Sequence, residues 1–143
     1  MSKGNTFEND LLKLIFNATA IANIADNASS SPLTNLYIAL HTADPGEAGD
    51  QTTSECAYGS YARVAVARTG VGWTVATNTA TNAALIQFPE CTSGSETITY
   101  VSIGTAVSGA GKILYSGALT ASRSVSSGIQ PQFAATSLSV QED

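Results

Sequence analysis

LYIALHTADPGEAG, residues 36–49, decides how the chain is read. Its first half is built from strand formers, with Leu36, Tyr37, Ile38 and Leu40 leading up to the chain's one histidine, His41. Its second half holds Asp44, Pro45, Gly46 and Gly49, residues that turn a backbone and end regular pairing. A strand over residues 35–41 followed by a hairpin-like acidic loop is therefore expected. His41 beside Asp44 and Glu47 also raises a reactive site as the competing reading.

Upstream the periodicity is helical. Asn5 followed by Glu8 has the spacing of a capping box, and Phe7, Leu11, Leu14, Ile15 and Ala18 recur at intervals of three and four. That apolar face either packs on its own domain or docks on a partner. NASSSP, residues 27–32, then breaks regular structure. The organisation expected is a helical arm at 1–30 and a β domain at 31–143.

Downstream, short strands are predicted near residues 61–67, 72–76, 84–88, 97–104, 112–119, 123–126 and 132–140, separated by Gly, Pro, Asn and Ser clusters. TNTATNA, residues 77–83, reads as a polar crossing between sheets, and SGAGK, residues 108–112, as a hairpin turn. TITYVSIG, residues 97–104, alternates imperfectly, as a strand covered on both faces does. About eight strands at this spacing give an all-β fold with a short N-terminal α-helix, a β-sandwich for which a jelly roll is the natural arrangement.

Composition narrows the function. Charged residues make up 12% of the 143, roughly half the usual quarter, and the net charge is −5 with six Lys and Arg together. So few cations exclude nucleic acid as a direct partner. No apolar run approaches the twenty or so residues that cross a bilayer, and the first residues lack a signal-peptide core, so no membrane is expected and synthesis in the cytoplasm is. Cys56 and Cys91 lack metal-ligand spacing, and no cofactor or metal is expected. Reduced thiols are the default, with a later disulfide left open.

Catalytic patterns are sparse. His41 would need a nearby serine or cysteine and an orienting acid, yet no GxSxG elbow is present, so an ordinary hydrogen-bonded histidine is the better reading. AVSGAGKI, residues 106–113, imitates a phosphate loop but has Ala106 for the first glycine and Ile113 after the lysine. Asp44, Glu47, Asp50 and Glu55 suit a hard cation in type, though not in spacing, and read first as a solvated loop. Tyr58, Tyr61, Arg63 and Arg68 cluster around VAVA; together with Phe7 and Leu11 they are the candidate protein–protein interface. A half-buried strand with snorkelling charges is the alternative. Trp73 reads as core.

LYIALHTADPGEAG, YGSYARVAV at 58–66, NAALIQFPE at 82–90, TYVSIGT at 99–105 and ILYSGAL at 113–119 together resemble a family of small virion structural proteins of tailed bacteriophages. Some members are labelled tail-fibre-like, and others look like jelly-roll cement proteins of short-tailed phages. The resemblance spans residues 36–140 and implies a non-enzymatic role with no catalytic residues to carry over. It implies a capsid cement protein on the outer shell, with the major capsid protein and copies of itself, as dimer or trimer, for partners. A tail-fibre or baseplate component is the alternative; the run ending at SLSVQED without a repetitive shaft favours decoration.

Overall fold

The computed structural model describes residues 5–21 and 32–142. Among these residues the chain is mostly β, with three antiparallel sheets and one N-terminal helix, in keeping with the all-β sandwich class read from the sequence. The helix α1 is Asn5–Asn17, and among the described residues nine strands follow: β1 Asn35–His41, β2 Val64–Ala67, β3 Trp73–Ala76, β4 Thr79–Asn82, β5 Ile86–Gln87, β6 Ser95–Gly104, β7 Ile113–Ser126, β8 Gln132–Phe133 and β9 Ser139–Gln141. The NASSSP break and the expected 30/31 boundary fall largely outside the described residues.

The chain forms two compact units, one of Met1–Asn35, Ala67–Ile86 and Phe133–Asp143, the other of Leu36–Val66 and Gln87–Gln132. In the first unit α1 packs on β3 and β4, and the sheet runs in the order β3-β4-β9. Leu12 and Phe16, four apart, are fully buried, and Phe16 lies 4.5 Å from Trp73 between ring centroids. The buried stripe Glu8, Leu12 and Phe16 is rotated from the face expected at Phe7 and Leu11, because Trp73 takes the Phe16 ring. The polar run TNTATNA contains strand β4 where a crossing was expected. Thr77 turns back at φ 57°, and Thr79 to Asn82 pair with Trp73 to Ala76.

In the second unit the sheet order is β2-β1-β6-β7, apart from the end residues Asn35 and Ala67. β1 lies between β2 and β6, and β6 between β1 and β7; the last four residues of β6 are all buried, which explains the imperfect alternation of TITYVSIG. β1 pairs antiparallel with β6, Leu40 opposite Val101 and His41 opposite Tyr100. β6 and β7 form a long hairpin. Residues 119–122 of β7 stand opposite Thr99 alone, a bulge that interrupts the outer strand and blunts its edge for further pairing.

Candidate functional site

The hairpin loop at 105–112 is where the interior of the second unit is spent on positioning the surface. Its tip, residues 107–110, is fully solvent-facing, with Val107 63% exposed, yet its base is held from beneath by two buried side chains. Arg63 donates from Nη1 to Ala106 O at 2.9 Å and from Nη2 to Gly109 O at 2.8 Å. Gln51, wholly buried, accepts from Ala106 N at 3.0 Å and donates to Tyr37 O at 3.1 Å. Its own N–H bonds to Gly111 O at 2.9 Å. Gly109 has φ 72°, a conformation that suits glycine best, and puts its carbonyl in reach of the guanidinium.

Arg63 is itself fixed by Glu55. Nε reaches Oε1 at 2.6 Å and Nη2 reaches Oε2 at 2.7 Å, a two-pronged pair whose carboxylate raises the already high pKa of the guanidinium. Tyr61 donates its hydroxyl to Glu55 at 3.1 Å and accepts from Leu40 N at 3.0 Å. Burial and the neighbouring carboxylate push that phenol far above its ordinary range. The clamp is therefore a closed network from β1 through Tyr61, Glu55 and Arg63 to the tip, each polar atom answered by another.

His41 anchors the other end. The loop that leaves β1 returns at Glu55, which forms an antiparallel bridge with His41. Nδ1 lies 2.9 Å from Thr53 O, an atom that only accepts, so Nδ1 carries the proton and Nε2 accepts from Ser102 Oγ at 2.7 Å. A histidine and a serine thus meet as hydrolytic chemistry requires, but both are 0% exposed, and no substrate carbonyl reaches either. Desolvation pulls the imidazole below its ordinary pKa, keeping it neutral at pH 7. The pair is a structural hydrogen bond.

The acidic loop spends its carboxylates locally. Asp44 accepts from Gly46 N and Asp50 from Thr52 N, both at 2.8 Å; Thr52, through its hydroxyl first and its amide second, lowers the Asp50 pKa. Among the described residues no three His, Cys, Asp or Glu side chains converge to hold a metal.

Of the six residues expected at an interface, Tyr58 and Arg63 are buried. Tyr58 donates to Pro89 O and stacks edge-on with Tyr61, while Glu96 caps the Ala57 and Tyr58 amides. Arg68 is half-buried and donates to Leu14 O, Ile15 O and Leu33 O, tying down the end of α1. Their aromatic and guanidinium character suggested an outward role; in the folded chain all four make intramolecular bonds. Phe7, 41% exposed, and the half-buried Leu11 remain on the helix surface. The residues that sequence reasoning missed are Gln51 and Ser102. Ser102 left one signal, a hydroxyl inside a strand read as covered on both faces, which must find a partner.

The chain matches the family described as podophage GP4 fiber I protein gp80 over residues 2–141, and it belongs to that family. It is thus a structural protein of the virions of short-tailed phages, and the family supports a non-enzymatic role. The match takes in the N-terminal helix that the resemblance over 36–140 had left aside. No curated protein matches the chain. Among the described residues no helix is long and apolar enough to cross a membrane.

Proposed function

We propose that the protein is a fibre component of a short-tailed phage virion, and that the tip at 107–110 is its principal contact point with a neighbouring virion protein. The family match along nearly the whole chain carries the fibre reading. On that support the fibre role, which stood second in the sequence reading, is placed ahead of shell cement. The tip fits the task physically. A loop already ordered by Arg63 and Gln51 loses little conformational freedom on docking, so more of its contact energy appears as affinity. Val107 supplies an apolar anchor and residues 108–110 add small side chains that allow close backbone approach. Phe7 offers a second anchor on the helix. Many such weak contacts in one particle add through multivalency.

Electron microscopy of virions carrying a tagged copy tests the role. Label confined to the tail supports the fibre reading. A regular lattice of label over the shell overturns it in favour of cement, with the major capsid protein and further copies of this chain as partners.

A further inference from the structure

We infer that His41 is an acid-sensitive latch on the tip: its protonation weakens the Arg63–Glu55 clamp and releases the loop at 105–112. The chain of contacts is short. His41 is paired across a backbone bridge with Glu55, Glu55 holds Arg63, and Arg63 holds Ala106 O and Gly109 O. An imidazolium at the wholly buried His41 site has no free counter-charge. Glu55 from the returning loop attracts it and Arg63, just before β2, repels it. Tyr100 is its ladder partner on β6, and Ser102 and Thr53 are its hydrogen-bond partners. Both Glu55 oxygens are already engaged by Arg63, and one of them by Tyr61.

Two relaxations are open to the charged ring. It draws Glu55 away from Arg63, or it opens the bridge at 41/55 and reaches water. Each removes the carboxylate that positions Arg63, so the tip loses its support. Ser102 must also turn its hydroxyl from donor to acceptor, giving up the one arrangement that satisfied Nε2. The burial of the neutral ring places this event below the ordinary histidine range of about 6.5. Contacts made through the tip are then strong in neutral surroundings and weak in mildly acidic ones.

The inference deepens the contact reading of the tip but has its own readout. His41 is the chain's one histidine, so its imidazole can be followed by NMR without overlap while amide exchange is measured at residues 105–111. Protection of those amides, corrected for the intrinsic pH dependence of exchange, is expected to fall at least about tenfold as His41 titrates. In His41→Asn, whose amide can still donate to Thr53 O but does not titrate, the fall is expected to disappear. Titration of His41 with tip protection unchanged overturns the latch, as does loosening that sets in only where carboxylates titrate. Should the variant not fold, the wild-type comparison decides alone. A latch that works while the tip proves dispensable for virion attachment would sink the contact reading and leave this one standing.

Discussion

Arg63 and Glu55 face each other through two parallel hydrogen bonds of 2.6 and 2.7 Å, with the arginine side chain 2% exposed and the glutamate 17%. The pair is eight residues apart in sequence, yet the same guanidinium reaches carbonyls more than forty residues further on. One ion pair thus converts the interior of a β sheet into support for a surface loop.

Breaking that pair has a large and local effect. Glu55→Gln leaves the buried guanidinium without its counter-charge, and a loss of about 3 kcal/mol or more is expected in chemical denaturation. Amide exchange in residues 105–111 should accelerate more than exchange in β1 or β6. Uniform acceleration would show that the network supports the whole unit and not the tip.

Gln51 fills the space that two glycines leave. A Cβ at Gly104 would sit 2.2 Å from the Gln51 carboxamide carbon, and one at Gly111 the same distance from its Oε1. Gly104→Ala is expected to cost about 1–3 kcal/mol by overpacking. Combining it with Gln51→Ala should cost less than the sum of the two changes, which a double-mutant cycle measures.

The first unit reports its own integrity through Trp73, the chain's one tryptophan, which is fully buried against Phe16. Phe16→Ala should shift its fluorescence to the red and cost about 3–5 kcal/mol. Arg68→Ala removes two side-chain donors at the end of α1 and a third at Leu33 O, and about 1–3 kcal/mol with reduced helical circular dichroism is expected. An unchanged helix signal in Arg68→Ala would remove the arginine from its capping role.

The fold was legible where local pattern suffices. β1 ends at the residues read from LYIALHTADPGEAG, and the loop after it does fold back antiparallel onto the strand, at Glu55. The SGAGK turn is the β6–β7 connection. Pattern failed where pairing was decided far away. TNTATNA is too polar to look like a strand, but β9, some sixty residues later, pairs with it. Tyr58, Tyr61, Arg63 and Arg68 have the chemistry of an interface, and which way they face depends on Glu55, Glu96 and the carbonyls of α1. Gln51 left no trace in sequence, since a polar loop residue next to Asp50 looks exposed until the two glycines opposite it are known to make room.

Cys56 and Cys91 are both free and buried. Burial and the Glu96 carboxylate push the Cys56 thiol up to about 12, leaving almost no thiolate at neutral pH. Neither thiol should react with iodoacetamide at pH 8 in the folded protein on a timescale that modifies both fully in denaturant. Rapid native labelling of Cys56 would contradict the buried carboxylate–thiol arrangement.

Acid should destabilise the protein through His41 before it does so through carboxylates. The folded pKa lies below the unfolded one, so the unfolded chain takes up the proton first. The stability contributed by the neutral ring is complete above about pH 6.5 and declines as pH falls toward the folded value. Urea midpoints measured from pH 7.5 to 5 should fall in the wild type and stay flatter in His41→Asn.

The central claim is that an internally braced tip attaches the protein to its virion. It is tested most directly by adding purified wild type and Val107→Asp, matched for thermal stability, to phage particles that lack the protein and measuring what sediments with them. Wild type bound and Val107→Asp left in solution is the result expected. Equal binding of the two would place the attachment elsewhere on the molecule.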